Sequence, residues 1–343
     1  MTQIYTALVS GKFPNLAVAE IKGVLEAEKI RYKIIGVYGQ LVRISAETDA
    51  IKAFSRLAAT HLVIKELSFC ELKDLVRAIK KIDWGFLIDK TFAVRVKKSG
   101  VISDSVNSME LERRLGTIIK KASNAVVKLK NPDVTVQVLI TSNLAAVGVL
   151  AVQRPKGYYG SRRPRNRPFF HPSTLDAITA RILVNLSRCR RGNLLLDPFV
   201  GAGGILIEAA EIGCTAIGID IEDKIINGCR RNLEYYNLLS YTDLILGDVT
   251  NLWFRPTAFD SVVTDPPYGR SASTHGRDPR KIISNLLYLA KDVLVKEGFL
   301  VFMHPAAVLV DDLIQQNNFT IIEKYHIIVH KNLTRIVEVA RND

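Results

Sequence analysis

Cysteine is scarce in this 343-residue sequence. Its four residues, Cys70, Cys189, Cys214 and Cys229, stand far apart and form no C-x-x-C pair, which speaks against a zinc site and a disulfide framework and leaves them as small buried hydrophobes. No metal site is expected. Long apolar segments are absent too: no uncharged run reaches the roughly 18 residues of a membrane span. The segment Met1–Tyr5 has no cationic stretch ahead of an apolar block, so the reading is a soluble cytoplasmic protein. Nor is there a compositional bias towards disorder, since 48% hydrophobic and 24% charged residues are ordinary for a globular chain. The length exceeds the ~100–150 residues of one domain, so more than one folding unit is expected.

What the sequence has in excess is positive charge. Lys and Arg number 47 against 34 acids, and the surplus is lopsided. Residues 1–170 hold 29 cations and 14 acids, whereas residues 171–343 hold 18 and 20. A basic first half points to a polyanionic partner held by that half.

The first half reads as mixed α and β. Short apolar runs at 4–9, 32–37, 40–45 and 61–67 predict strands, and periodic stretches at 15–28 and 50–58 predict helices. A second unit follows, with a helix over 74–82, a strand over 91–97, a helix over 108–127 and strands over 134–140 and 144–152. Asn107 or Ser108, with Glu110 and Glu112 behind it, marks the start of the long helix. Residues 153–170 break the pattern. They contain Arg154, Lys156, Arg162, Arg163, Arg165 and Arg167 and no acid, interleaved with Tyr158, Tyr159, Phe169 and Phe170. By position this is a linker; by composition it suits phosphates and unpaired bases.

From residue 171 onward helices and strands alternate, as an open parallel sheet requires. Strands are expected at 194–197, 216–220, 243–246, 259–264, 298–303, 319–330 and 333–340. Only Lys331-Asn332 joins the last two, so they are expected to form an antiparallel hairpin.

Two segments carry chemistry. In Leu194–Leu206, LLLDPFVGAGGIL, a strand ending on Asp197 enters a glycine turn containing Gly201 and Gly203 and then a helix, so backbone can approach a ligand closely. Asp220, in Gly218-Ile219-Asp220 at the end of the next strand, is placed for both hydroxyls of a ribose. A dinucleotide site carries a third glycine where this chain has Leu206. Asp197 would also oppose a pyrophosphate but suits the ammonium of a methionine group. The combination favours S-adenosylmethionine. Asp248, in Gly247-Asp248-Val249, is placed to accept from an adenine amine.

The second segment is Asp265-Pro266-Pro267-Tyr268-Gly269. The prolines end a strand and stiffen the backbone. The Asp265 carboxylate and the Pro266 carbonyl can each accept one N–H of an exocyclic base amine, which aims its otherwise delocalised lone pair, while Tyr268 offers a stacking face to the extruded base.

In this order the motifs DPFVGAGG, GID, GD and DPPYG resemble class I S-adenosylmethionine-dependent amino-methyltransferases. The segment Arg167-Pro168-Phe169-Phe170-His171-Pro172-Ser173-Thr174 resembles the motif that precedes the catalytic domain in THUMP-containing tRNA guanine-N2-methyltransferases, of the archaeal guanosine-10 type. The resemblance implies an α/β fold: a Rossmann-like domain with a mostly parallel seven-stranded sheet over 171–343, preceded by an α+β ferredoxin-like domain over 1–68, a THUMP domain over 69–152 and the basic linker over 153–170. It implies methylation of a guanosine N2 in tRNA, once or twice, with His171 and Thr174 closing over the methionine end; by position His171 is equally placed to cap the helix that follows. It also brings in a small zinc-binding activator subunit as a partner. Two alternatives stay open on the residues: an N6-adenine or other-site RNA amino-methyltransferase, because the box serves either amine, and an RNA-binding module whose methyltransferase domain is inactive.

Overall fold

The computed structural model describes residues 2–100, 107–155, 157–172, 174–251, 253–268, 278–330 and 333–343. The chain divides into two compact units, Met1–Ile21 with Lys29–Pro155, and Lys22–Glu28 with Lys156–Asp343.

The first unit is built from β1 (Thr2–Val9), α1 (Pro14–Ala27, shared with the second unit), β2 (Tyr32–Tyr38), β3 (Leu41–Glu47), α2 (Ala50–Phe54), β4 (Thr60–Glu71), α3 (Leu75–Lys81), β5 (Thr91–Ser99), α4 (Ser108–Ser123), β6 (Val126–Val127), β7 (Val134–Thr141) and β8 (Leu144–Gln153). One eight-stranded sheet, ordered β2-β3-β1-β4-β8-β7-β5-β6, runs through all of it. The boundary expected between residues 68 and 69 therefore falls inside β4, which pairs with β1 on one side and β8 on the other. Asn107 caps α4, its side chain accepting from the backbone of Met109 and Glu110. The helix expected to reach residue 127 stops at Ser123, because Asn124 turns left-handed at φ 53° and Val126–Val127 joins the sheet beside β5. A left-handed asparagine is a common helix stop.

The second unit contains α5 (Ala177–Leu186), β9 (Leu194–Asp197), α6 (Gly204–Ala210), β10 (Thr215–Asp220), α7 (Asp223–Tyr235), β11 (Thr242–Leu246), β12 (Phe259–Thr264), α8 (Pro279–Val293), β13 (Leu294–Pro305), α9 (Asp311–Gln316), β14 (Phe319–His330) and β15 (Leu333–Asn342). Its sheet order is β11-β10-β9-β12-β13-β15-β14. The first five of these strands are parallel, and β15 runs antiparallel to both β13 and β14. The expected hairpin is present; its turn, Lys331-Asn332, lies outside the described residues. Leu196, Ile219, Val262, Leu300 and Phe302 are fully buried and pack with helix residues such as Leu286 and Ile314. In this register Asp197 stands beside Gly218 and Asp220 beside Leu246. The loops after β9, β10, β11 and β12 thus share the carboxyl edge of the sheet, where open α/β folds hold ligands.

Candidate active site

The loop after β9 is shaped by backbone that only small residues tolerate. Gly201 and Gly203 adopt φ 51° and 80°, and a Cβ on Gly203 would stand 2.6 Å from Cys229 Sγ on α7. A side chain at 203 would have to displace the Cys229 side chain as well as adopt a left-handed backbone. Two acids then fix the loop. Asp197 Oδ1 accepts from Phe199 N at 3.2 Å and from Thr264 Oγ1 at 2.7 Å. Asp220 Oδ2 accepts from Gly201 N at 3.2 Å and its Oδ1 from Glu222 N at 3.0 Å. Each carboxylate oxygen of Asp220 retains acceptor capacity for a hydroxyl. Asp197 is fully enclosed, and burial, with a smaller contribution from Asp220, pushes its pKa up to about 7 against the hydrogen bonds from Thr264 and Phe199. Asp248 takes a local role: its Oδ1 accepts from Thr250 N and Oγ1 at 3.0 and 2.8 Å.

Thr264 connects this loop to the second segment. It is the last residue of β12, its hydroxyl holds Asp197, and the next residue is Asp265. The side chain of Asp265 does not stand alone. Arg335 reaches over from β15, and its Nη2 donates to Asp265 Oδ1, while the guanidinium carbon lies 4.8 Å from the centre of the Tyr268 ring. One buried cation thus holds the carboxylate and backs the aromatic face. Burial pushes the Arg335 guanidinium down to about 10, so it remains charged at neutral pH. Burial also pushes the Tyr268 phenol up, leaving it neutral. Sequence reasoning did not single out Arg335. The signal was a lone arginine inside the apolar run Leu333–Ala340, a strand expected within the sheet. Gly269 lies outside the described residues.

The basic segment 153–170, a linker by position, is largely exposed but anchored at three buried residues, Tyr159, Arg162 and Arg167. Phe169 N donates to Asn232 Oδ1 at 2.8 Å, and Asn232 Nδ2 donates to Phe169 O and to Ala202 O, each at 3.0 Å. The fully buried Asn232, also unforeseen, therefore ties the segment to the glycine loop. The Phe169 ring covers Gly228, where a Cβ would stand 2.3 Å from it. Arg162 and Arg167, expected on an RNA-facing surface, are buried. Arg162 faces Glu208 at 3.3 Å and Glu211 at 2.5 Å and lies over the Tyr158 and Tyr159 rings. Arg167 donates to Arg162 O at 3.0–3.2 Å. Acids from α6 and the residue after it supply the countercharge that the segment itself lacks. Arg154 is part-buried and donates to backbone carbonyls of Leu57 and Thr60. Arg163 and Arg165 are exposed, Lys156 lies outside the described residues, and His171 and Thr174 are half-buried beside α5.

The family model for the RMKL-like methyltransferase domain matches residues 164–336, and that for the THUMP domain matches residues 70–150. A tRNA (guanine(10)-N2)-dimethyltransferase of Methanothermobacter thermautotrophicus is 35% identical over 97% of both chains. The protein so named in Pyrococcus abyssi is 31% identical over 95% of this chain and 96% of its own. Among solved structures, TrmN from Thermus thermophilus superposes with a TM-score of 0.55 at 21% identity, covering 99% of this chain and 100% of that one, which shows a shared fold.

Proposed function

We propose that this chain, which belongs to the family of THUMP-containing tRNA guanine-N2-methyltransferases, methylates the exocyclic N2 of guanosine 10 in tRNA, in one or two rounds, from S-adenosylmethionine. The observation that carries the reading is the continuous link from Asp197 in the glycine loop through Thr264 to Asp265, with Arg335 fixing that carboxylate. The residues present fit the cofactor: Asp220 has acceptor capacity at the strand end, Gly201 and Gly203 give close backbone approach, and Thr174 has a buried hydroxyl oxygen with no partner among the described residues. When bound, S-adenosylmethionine supplies an electrophilic methyl on sulfur.

The chain's residues do the rest by orientation. With Oδ1 of Asp265 engaged by Arg335, Oδ2 and the Pro266 carbonyl accept the two N–H groups of the guanine amine, which turns its lone pair out of the ring system. Tyr268 stacks on the base, and the Asp265 carboxylate holds the proton that the amine loses. The prolines keep acceptor and ring at fixed spacing. Residues 1–68 and 69–152 are assigned in this proposal to a ferredoxin-like domain and a THUMP domain that grip the tRNA, and a cytoplasmic location goes with that substrate. Among the described residues no helix is long and apolar enough to cross a membrane. A small zinc-binding activator subunit belongs to the proposal by family resemblance. Transfer of labelled methyl to tRNA transcripts tests the reading: label is expected with guanine at position 10 and lost when another base replaces it, and unchanged labelling refutes the site.

Two further outcomes follow from the geometry. In the cofactor-free protein Asp197 holds its proton up to about pH 7, whereas a ligand ammonium favours the ionised form. Binding of S-adenosylhomocysteine is therefore expected to release a proton at pH 6 and to tighten as pH rises, levelling off above about 7. Because the carboxyl is raised in the folded state, its contribution to stability falls over the same rise, from the unfolded value near 4 to about 7. Calorimetry in two buffers of different ionisation enthalpy measures the proton release; none at pH 6 contradicts it. Separately, replacing the exposed Arg163 and Arg165 by alanine is expected to reduce the slope of log affinity for tRNA against log salt by about one to two, at ~0.7–0.9 per phosphate contact. An unaltered slope removes these two from the RNA contact.

A further inference from the structure

Two of the four cysteines meet in the second unit. Cys189 and Cys214 are 25 positions apart in the chain, yet both are buried and their sulfurs lie 2.7 Å apart. That is about 0.7 Å beyond the ~2.0 Å of a disulfide bond, so joining them asks for only a small movement. The other two cysteines lie elsewhere: Cys70 is on β4 of the first unit, and Cys229 is on α7 against Gly203.

Backbone fixes the contact from both sides. Gly192 N donates to Gly213 O and Thr215 N donates to Asn193 O, each at 2.9 Å, which laces the turn after α5 to the start of β10. Arg190 N donates to Asn193 Oδ1 at 3.0 Å within the first turn. Across the two turns, Cys214 Sγ donates to Arg190 O at 3.1 Å. The cover over the pair is thin, because Arg191, Gly192 and Thr215 are exposed. A small local opening therefore brings the thiols to solvent.

What the pair encloses indicates its use. Residues 190–213 contain β9, the glycine loop and α6. A bond between Cys189 and Cys214 closes this segment into one ring, and a ring has fewer unfolded conformations to gain on melting. The junction lies ahead of β9 and β10, at the amino edge of the sheet, whereas Asp197 and Asp220 end those strands at the carboxyl edge. The bond thus acts on the stability of the segment rather than on the loops that face a ligand.

We propose that Cys189 and Cys214 form a thiol–disulfide site, oxidised by a low-molecular-weight disulfide such as glutathione disulfide, and that the resulting bond staples the β9–α6 segment. One cysteine thiolate attacks a sulfur of glutathione disulfide and displaces a glutathione thiolate. The second cysteine thiolate then attacks the protein sulfur of the mixed disulfide and displaces the other glutathione. The two thiol protons pass to the two glutathione thiolates; the protein loses two electrons, and one glutathione disulfide becomes two glutathione molecules.

The test uses the full chain, both native and refolded, in glutathione disulfide or in dithiothreitol. Each sample is quenched with acid, alkylated under denaturing conditions and mapped by peptide mass. In glutathione disulfide, residues 189 and 214 are expected in one linked pair of peptides; in dithiothreitol both are expected alkylated. The oxidised protein is expected to melt about 5–10 °C higher than the reduced one, from closure of a ring of this length. Cys189→Ala and Cys214→Ala are each expected to remove the link and the rise in melting temperature together. Should either variant not fold, the peptide map and the two melting curves of the wild-type chain decide alone. Alkylation of both residues after glutathione disulfide, native and refolded, overturns the proposal, as does a link from either of them to Cys70 or Cys229. A bond that forms without raising the melting temperature overturns the staple.

Discussion

Replacing Asp265 by alanine is expected to reduce methyl transfer to tRNA by about 10³-fold, the loss of one preorganised polar partner at the reacting group, with S-adenosylhomocysteine affinity within a few-fold of wild type. The substitution also acts on stability, because it strands Arg335. That side chain is 9% exposed and its salt-bridge partner is Asp265; breaking such a buried pair from one side costs about 3–5 kcal/mol. Asp265→Asn keeps the shape and loses the charge. It is expected to melt between the wild type and the alanine variant and to remain poor in turnover. The double substitution Asp265→Asn with Arg335→Met removes both charges and is expected to recover melting temperature while activity stays low. Single-turnover kinetics together with thermal melting separate these effects. An alanine variant that turns over at the wild-type rate would sink the mechanism, and one that melts like wild type would show that Arg335 finds another partner.

A comparable loss of stability is expected far from the chemistry, at Glu208. This carboxylate is fully buried. Its Oε2 accepts from Arg181 Nε at 2.9 Å, and Oε1 faces Arg162 at 3.3 Å. Glu208→Ala leaves two buried guanidinium groups facing each other without their shared acid. The expected destabilisation is about 3–5 kcal/mol, a fall in melting temperature on the order of 10 °C for a unit of this size. Arg162→Ala is expected to destabilise as well, since Glu208 and Glu211 are then undercompensated and the cover over Tyr158 and Tyr159 is lost. At temperatures where Arg162→Ala is fully folded, its tRNA affinity and salt dependence are expected to match wild type, in contrast to the Arg163 and Arg165 substitutions. Melting curves and filter binding across a salt series decide between the two roles, and a flattened salt slope for Arg162→Ala would return it to the RNA surface.

The catalytic unit was readable because its signals are local. Strands 194–197, 259–264 and 319–330 match their predicted bounds, since each is an apolar run closed by a proline, a glycine or a charged turn, and the closing hairpin follows from a connection too short for a helix. The box Asp265–Tyr268 and the acids Asp197, Asp220 and Asp248 could be picked out because strand ends in a parallel sheet converge on one edge. The first unit was less legible. Its eight strands pair across long sequence separations, and nothing within residues 60–71 reveals that one uninterrupted β4 spans the boundary expected there.

The sequence by itself determined the order of elements, the glycine loop with its two acids and the Asp-Pro-Pro-Tyr box. Each depends on residues adjacent in the chain or one strand apart, and on backbone preferences that glycine and proline impose directly. The tertiary structure alone decided which cations face a solvent-borne polyanion and which are consumed inside the fold. Arg162, Arg165 and Arg167 are indistinguishable as letters in one basic run. Glu208 and Glu211 lie more than forty residues downstream of that run, and only packing brings them to Arg162, while Arg165 stays in water. By the same token Arg335, seventy residues beyond Asp265, reaches that carboxylate because β15 folds back beside β13, a pairing that hydrophobic periodicity predicts in kind but not in register.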